Sequence, residues 1–383
     1  MAMTLTLTHV IAENAPAEAA ILLSELLAFT KASRMRQRVI IWGAAPPGLR
    51  VPDDVPCEHV PGGLLNLPKP IRTILRGSSP AVVHAWGTAA LPLAGYACNG
   101  ESSLVLTLVD PAEVMEARRW CCDWAGETEG LSILCTSAGL ARRLVAAGVA
   151  KSNVTVLPPV INPLRADTSG KIVRRTDLGL PEDANVLLTA EPPSRAGGQF
   201  FAVWTMAVLR KIRPNLHLVI PGVSREQRRL QDFIATMYCP EAFHTCGERF
   251  SFGHILGLSD LLVFPAIEDI PVGGLVQGMA LGVPVVAADV PAVREWITDE
   301  QTGFLCRSGD MHDLAVRIRE ALEDNVLRQK CVENARAVVR AADIGPKWLD
   351  TYDKVLHRAV HAPVRRESLI RLAHWTLTGA AGG

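Results

Sequence analysis

Two short segments of the sequence carry residues whose types and positions suit ligand chemistry. Gly273 and Gly274 follow an apolar run over Leu261–Pro265 and open a helical stretch, so their backbone N–H groups could face phosphate oxygens. A tight turn without a ligand would also favour these glycines. In residues 82–87 (Val-Val-His-Ala-Trp-Gly), His84 stands near the carboxyl end of a predicted strand, where α/β sheets bind ligands. His84 is therefore a candidate ligand contact, with a hydrogen-bonded core histidine as the equal alternative.

The elements that must position these residues are short apolar runs, each bounded by turn residues and followed by a helical stretch. Continuous rather than alternating apolar runs are typical of strands covered by helices on both faces, as in parallel sheets. The predicted strands are Leu5–Ile11, Arg38–Trp42, Ala81–Ala85, Leu104–Leu108, Ser132–Thr136 and Val154–Leu157 in the first half, and Asn185–Thr189, Leu216–Ile220, Leu261–Pro265 and Val283–Ala287 in the second. The sequence therefore predicts an α/β protein with two Rossmann-like, doubly wound parallel sheets.

Prolines mark the boundary between the two halves. Pro158, Pro159 and Pro163 interrupt helices and strands alike, so we expect an N-terminal domain over residues 1–163 and a C-terminal domain over residues 164–345. Aromatic and aliphatic residues then recur at helical spacing, at Trp348, Tyr352, Val355 and Leu356. This spacing predicts C-terminal helices over residues 346–383, which we expect to cross back to the N-terminal domain.

The composition narrows the class of protein. The 383 residues contain 39 Lys+Arg and 39 Asp+Glu, and 49% are hydrophobic, which excludes a disordered chain and removes bulk charge as a basis for nucleic-acid binding. Nine scattered cysteines form no Cys-x-x-Cys pair, which favours reduced thiols in a cytoplasmic protein. Two long uncharged windows, residues 77–100 and 270–288, are interrupted by Pro and Gly, so no transmembrane segment is predicted.

Residues 256–286 carry the most specific motif of the chain. They are Leu-Gly-Leu-Ser-Asp-Leu-Leu-Val-Phe-Pro-Ala-Ile-Glu-Asp-Ile-Pro-Val-Gly-Gly-Leu-Val-Gln-Gly-Met-Ala-Leu-Gly-Val-Pro-Val-Val. This stretch resembles the donor-binding segment of family-4 (glycosyl transferase group 1) retaining glycosyltransferases. In that family an acidic residue is followed, after seven others, by a Glu and Ala-Met-Ala-x-Gly-x-Pro-Val-Val. Supporting matches occur in the family's order at residues 81–87, 104–110, 136–148, 185–198, 295–305 and 346–355.

The resemblance implies the GT-B fold, in which two Rossmann-like domains face a central cleft. It also implies metal-independent transfer of a hexosyl group, with retention, from a nucleotide-diphosphate sugar to an acceptor hydroxyl, without a further cofactor. The implied catalytic residues are Asp269, His84 and Asp110, and the implied donor-binding residues are Arg195, Glu268, Gly273, Gly274 and Gln277.

The acceptor is left open by the sequence, as a glycan, a lipid or a small molecule. Lys69, Arg72 and Arg76 form a basic amphipathic stretch at the place where relatives that glycosylate lipids touch membranes. A peripheral membrane contact is therefore one interpretation of these three cations, and a solvated helix face is the favoured one.

Several positions depart from the family's pattern where the donor phosphates would bind. Gln277 takes the place of the second acidic residue, while Glu191 and Ala196 take the places of an Arg and a Lys. Arg195 stands one residue from the position of that Lys. A glutamate that faced a diphosphate would repel it. The sequence thus favours an active transferase and leaves open a catalytically silent GT-B scaffold that binds or regulates a partner.

Overall fold

The computed structural model contains two compact units, one made of Met1–Val160 with Ile344–Gly383 and the other of Ile161–Asp343. The residues that the structure describes are 5–30, 35–62, 81–98, 102–121, 131–159, 173–247, 250, 252–341 and 344–361. The predicted boundary near residue 163 and the basic stretch at residues 69–76 lie outside these residues.

The first unit is built on a parallel sheet of seven strands in the order β3-β2-β1-β4-β5-β6-β7. The strands are β1 (Thr6–Ala12), β2 (Arg36–Trp42), β3 (Cys57–Val60), β4 (Val82–Trp86), β5 (Ser103–Leu108), β6 (Leu131–Cys135) and β7 (Val154–Val156). The helices between them are α1 (Ala17–Phe29), α2 (Leu91–Ala97), α3 (Val114–Arg119) and α4 (Ala138–Ala146). In the register of the central pair, His9 on β1 lies opposite His84 on β4.

The second unit has a parallel sheet of six strands in the order β10-β9-β8-β11-β12-β13. The strands are β8 (Asn185–Thr189), β9 (Leu216–Pro221), β10 (Phe243–Gly247), β11 (Leu261–Phe264), β12 (Val285–Ala288) and β13 (Phe304–Cys306). The helices are α5 (Gln199–Leu209), α6 (Gln227–Ala235), α7 (Phe252–Leu256), α8 (Gly273–Leu281), α9 (Pro291–Arg294), α10 (Met311–Glu323) and α11 (Asn325–Ala341). Each sheet is packed by its own cluster of buried apolar side chains.

The last described helix, α12 (Ile344–Val360), belongs to the first unit. Its buried face carries Trp348, Tyr352, Val355 and Leu356, the four residues at helical spacing. The helix packs on β4, β5 and β6, and the Trp348 indole N–H donates to the Pro158 carbonyl oxygen at 2.8 Å. These contacts bury an apolar stripe that an isolated helix would expose.

The predicted α/β class with two doubly wound parallel sheets is confirmed, and each predicted strand is present with its ends shifted by two residues or fewer. The strands β3, β10 and β13 were not predicted from the sequence. All three are edge strands, and β3 and β10 are only partly buried, so their sequences lack the continuous apolar runs that mark the central strands. Among the described residues, no helix has both the length and the hydropathy that crossing a membrane requires.

Candidate active site

The second sheet changes its winding direction between β8 and β11, which lie side by side at the centre of the strand order. Chain connections leave these two strands toward opposite sides of the sheet, so a crevice opens beyond their carboxyl ends. The residues there come from two loops, residues 190–198 after β8 and residues 265–272 after β11. This edge is therefore where the fold of the second unit favours a ligand.

A single buried amide holds the loop after β8 in place. Gln199 is 1% exposed, and its Nε2 donates to the carbonyl oxygens of Glu191 and Pro192, both at 3.0 Å. Its Oε1 accepts the Ser194 backbone N–H at 3.0 Å. The Gly197 N–H in turn donates to Ser194 Oγ at 2.9 Å. Since these bonds satisfy backbone groups that no strand or helix pairs, the loop keeps one conformation.

The loop after β11 is tied to the loop after β8. The Ile267 N–H donates to the Ala196 carbonyl oxygen at 2.7 Å. From the other side, Ser308 Oγ lies 2.9 Å from the Ile267 carbonyl oxygen and can donate to it. Gly198 has φ +72°, and a β-carbon there would lie 1.8 Å from the Pro265 carbonyl oxygen, so only glycine fits. The two loops therefore form one connected edge.

Helix α8 begins at this edge with the glycine pair. Val272 at its N-cap position offers no capping side chain, and the first backbone N–H groups of a helix have no partner within the helix. A β-carbon on Gly274 would lie 3.0 Å from Ala190 Cβ and 3.3 Å from Glu191 Oε1. The carboxylate of Glu191 thus lies against the start of α8, where an anion is stabilised by the helix dipole.

The acidic residues predicted for this edge have different surroundings. Asp269 is 7% exposed, and its Oδ1 accepts the Ala292 N–H at 2.9 Å, so its carboxylate helps to cap the short helix α9. Glu268 is exposed. The bond to Ala292 gives the Asp269 carboxylate a structural role that the sequence did not predict.

The cation and the amide predicted to bind the donor are accessible. Arg195 is exposed, and within the described ranges its side chain has no ion pair or hydrogen bond. Gln277 is half-buried one turn into α8, and its amide likewise has no hydrogen-bond partner among the residues that the structure describes. Both side chains are therefore free to meet a ligand at this edge.

In the first unit, His84 lies inside the core and is 0% exposed. Its ring nitrogens lie 2.7 Å from the Tyr352 hydroxyl on α12 and 2.7 Å from Thr107 Oγ1 on β5. Burial, and then the neighbouring His9, hold the pKa of His84 well below its usual value, so the ring is neutral. Contact with an acceptor would require this core to open, so the position favours the alternative of a satisfied core histidine.

The neighbouring His9 extends this buried network. The Trp86 indole N–H donates to His9 Nδ1 at 3.1 Å, and His9 Nε2 lies 3.0 Å from Gln37 Oε1. Burial lowers the pKa of His9 to about 4. A neutral ring that accepts at Nδ1 carries its proton on Nε2, and it therefore donates to Gln37.

Asp110, the third predicted catalytic residue, follows β5 and caps the turn at Pro111–Glu113, where its Oδ1 accepts the Ala112 N–H at 2.8 Å. The nearby Glu113 was not predicted from the sequence, and its Oε1 accepts the Thr88 N–H at 2.7 Å. Burial, opposed by the Thr88 hydrogen bond, raises the pKa of Glu113 to about 7. The Asp-Pro-Ala-Glu pattern, typical of a capping box, is the sequence signal that could have indicated this carboxylate.

Part of the chain, including this edge, matches a known protein family. Residues 171–338 match the family model for "Glycosyl transferases group 1". The matched residues include both loops of the candidate site and all of α8, so the family's domain coincides with the edge described above.

Curated proteins align with this chain over part of their length. The chain is 30% identical over 224 residues to D-inositol 3-phosphate glycosyltransferase of Stackebrandtia nassauensis, which is 53% of this chain and 47% of that protein. It is 24% identical over 140 residues to N-acetyl-alpha-D-glucosaminyl L-malate synthase of Bacillus anthracis, 37% of each chain. The chain thus spans about half the length, or less, of these relatives.

Solved structures cover nearly the whole chain. Anabaena Alr3699/HepE, crystallised in complex with UDP and glucose, has a TM-score of 0.74 at 18% identity and covers 91% of this chain and 100% of its own. WaaG, a glycosyltransferase involved in lipopolysaccharide biosynthesis, has a TM-score of 0.70 at 16% identity and covers 92% and 99%. At such identities the likeness shows the fold, and it confirms the GT-B class predicted from the sequence.

Proposed function

We propose that the protein transfers a hexosyl group from a nucleotide-diphosphate sugar to an acceptor hydroxyl, with retention of the anomeric configuration. The observation that carries this proposal is the glycosyltransferase group 1 match over residues 171–338, which contains the whole candidate donor edge. The UDP bound to the fold neighbour HepE supports a nucleotide-sugar donor.

The reaction breaks the bond between the sugar and the diphosphate, so negative charge develops on the leaving phosphate. Electrostatic stabilisation of that charge and positioning of the acceptor are the two contributions a protein can make. In the proposed complex the Gly273 and Gly274 N–H groups face the phosphates, Arg195 supplies the positive charge, and Gln277 hydrogen-bonds the ribose. Asn or Gln amides bind a diol, although more weakly than a carboxylate does. No further cofactor takes part.

A nucleotide panel tests the proposal. Purified protein is mixed with UDP, GDP and their sugars while its melting temperature is followed, since a ligand at 100 times its Kd adds about 2.7 kcal/mol to the folded state. Turnover is measured as release of the nucleoside diphosphate, and NMR of the product gives the anomeric configuration. We expect one nucleotide family to raise the melting temperature and to support turnover that EDTA does not abolish. Neither shift nor turnover across the panel would contradict the proposal and favour the silent scaffold.

The role of Asp269 can be tested by measuring turnover of a variant. We propose that it positions the loop after β11 through its bond to the Ala292 N–H, without acting on the substrate. Asp269→Asn keeps an oxygen acceptor for that N–H, so we expect turnover within a few-fold of wild type and a similar melting temperature. A loss of about 100-fold or more at an unchanged melting temperature would instead indicate that the charge itself acts in catalysis.

A further inference from the structure

We propose that Gln199 is a positioning residue for the transfer reaction: its buried amide fixes the loop after β8 so that Arg195 is held at the donor edge. Arg195 stands one residue from the position where the similar family has a lysine, so its place depends on the path of this loop. Because Arg195 is the cation that would meet the diphosphate, this role of Gln199 rests on the proposed function.

The loop after β8 depends on a side chain for its hydrogen bonds. Pro192 and Pro193 follow each other, and neither has a backbone N–H group to donate. The carbonyl oxygens of Glu191 and Pro192 each accept a hydrogen bond from Gln199 Nε2 at 3.0 Å, and Gln199 Oε1 accepts the Ser194 N–H at 3.0 Å. These three bonds need donors and an acceptor on one planar group, which an amide supplies.

The backbone of Arg195 is tied on both sides of the residue. Its own carbonyl oxygen accepts the Gly198 N–H at 3.2 Å, which closes a tight turn. The preceding residue is held by the Gln199 amide. In the following residue, the Ala196 carbonyl oxygen accepts the Ile267 N–H at 2.7 Å. The backbone position of Arg195 is therefore set by the start of α5 and by the loop after β11.

Burial distinguishes Arg195 from the rest of this segment. Among residues 190–199, all of which the structure describes, Arg195 alone is exposed, whereas Gln199 is 1% exposed. Displacing the Gln199 amide would leave polar backbone groups of the loop without partners, which opposes its movement. The segment thus presents one accessible charged side chain on an ordered backbone. Ordering a cation before the ligand arrives lowers the entropic cost of binding.

The consequence for the reaction passes through the arginine. Stabilisation of charge on a leaving phosphate depends on a cation that is already in place, and a displacement of about 1 Å can cost a large factor in rate. Loss of the Gln199 amide would let the loop move and carry Arg195 away from the phosphate. An enzyme that already lacks the arginine should gain nothing from the amide.

Donor kinetics of Gln199→Met, alone and combined with Arg195→Ala, test this assignment. Methionine keeps the approximate size of the side chain and lacks its N–H donors and carbonyl oxygen. We expect Gln199→Met to lower kcat/KM for the nucleotide sugar about tenfold or more. In the Arg195→Ala background the same replacement should change kcat/KM by less than about twofold, because the group that it positions is gone.

Hydrogen exchange of the Ser194 amide reports the loop directly. This N–H is bonded to Gln199 Oε1, so its exchange should accelerate about tenfold or more in Gln199→Met, while the amides within β8 stay protected. Gln199→Glu is the second variant. It keeps an acceptor for Ser194 but has no N–H for the two carbonyl oxygens, so it should also lower kcat/KM.

Val203→Ala is the matched control. Val203 lies one turn further along α5, outside the loop, and it is 0% exposed within the apolar core of the second unit. Its truncation should lower the melting temperature. We expect its kcat/KM and its Ser194 exchange to stay within about twofold of wild type, since the loop keeps its bonds.

Three outcomes would overturn the inference. If Gln199→Met lowers kcat/KM by the same factor with and without Arg195, or if Val203→Ala lowers it equally, Gln199 serves stability alone and the proposed function stands. If Gln199→Met changes neither kcat/KM nor Ser194 exchange, the amide does not order the loop, and the proposed function again stands. If wild type transfers sugar from no nucleotide of the panel, the proposed function fails and the inference fails with it.

Discussion

The two units place a glutamate against a glycine at the start of a helical segment in different ways. In the first unit, a β-carbon on Gly87 would lie 2.9 Å from Glu113 Oε1, just before the helical turns that begin at Thr88. In the second, a β-carbon on Gly274 would lie 3.3 Å from Glu191 Oε1. In the first unit the carboxylate accepts the Thr88 backbone N–H, and in the second it lies against the first turn of α8.

The surroundings of the two carboxylates differ. Glu113 is buried and accepts hydrogen bonds from the N–H groups of Thr88 at 2.7 Å and Asp110 at 3.4 Å. Glu191 is half-exposed. The same pairing of residue types is therefore buried in the first unit and partly open to solvent in the second. The contact in the first unit is therefore the harder one to break, since a buried carboxylate cannot leave its donors without a large cost.

Replacing the two glycines should give the largest difference between the units. Gly87 has φ +78° and lies under a buried carboxylate, whereas Gly274 has no positive φ and lies in a helix, where alanine is favoured. We expect Gly87→Ala to lower the free energy of unfolding of the first unit by about 2–4 kcal/mol, and Gly274→Ala to change that of the second by less than about 1 kcal/mol.

Urea unfolding with hydrogen exchange of the strand amides can assign each transition to its unit in these two variants. Equal losses would show that the two glutamate–glycine contacts are equally rigid despite their different burial.

The free energy of unfolding of the first unit should depend on pH because the pKa of the Glu113 carboxyl is raised. Its folded pKa of about 7 exceeds the ordinary value of 4.5, so the folded state holds a proton that the unfolded state has lost between these pH values. The contribution of this group to the free energy of unfolding is greatest below about pH 4.5. It falls by up to about 3 kcal/mol as the pH rises to about 7. Glu113→Gln should lack this fall, as urea midpoints at pH 5 and pH 8 can show.

The buried histidines act in the opposite direction, so wild type must be compared with Glu113→Gln at each pH. Burial lowers the pKa of His9 to about 4, and a His that resists protonation when folded loses stability as the pH falls below its unfolded value of 6.5. Subtracting the free energy of unfolding of the variant from that of wild type cancels the contribution of the histidines. A wild-type-minus-variant difference that stays constant with pH would contradict the raised pKa of Glu113.

The hydroxyl of Thr88 should give the smallest effect. It lies 2.8 Å from Glu116 Oε2 and 3.2 Å from Glu113 Oε1, so it can donate to one carboxylate at a time. Thr88→Val keeps the shape and removes the donor, and we expect it to lower the free energy of unfolding by about 1–2 kcal/mol. Thr88→Ser keeps the hydroxyl and should lose less. If the two variants unfold alike, the hydroxyl does not help to hold the Glu113 edge.

Sequence patterns predicted the central strands of the two sheets better than the edge strands. The central strands have continuous apolar runs because helices cover both faces, and β8 and β11 were predicted from that signal. The edge strand β3 has four residues, of which only Val60 is fully buried, so it carries no comparable signal. The glycine pair at the start of α8 was predicted as well, because its place after β11 follows from local order alone.

Roles of single side chains depended on partners that are distant in sequence. Asp269 bonds to Ala292, 23 residues away, and His84 pairs with Tyr352, 268 residues away. A sequence motif specifies the residue type at each of these positions but not its hydrogen-bond partner in the fold. The sequence therefore left two interpretations of His84 open, a ligand contact and a core histidine, and could not decide between them.

The sequence by itself determined two parallel α/β sheets, a helix opened by Gly273 and Gly274, and a likeness to group 1 glycosyltransferases, because these depend on local patterns of hydrophobicity and backbone freedom. Tertiary structure alone decided that Asp269 caps a helix and that Glu191 lies against Gly274. Burial and hydrogen-bond partners are properties of packed neighbours, and these neighbours come from separate strands that meet only when the sheet forms.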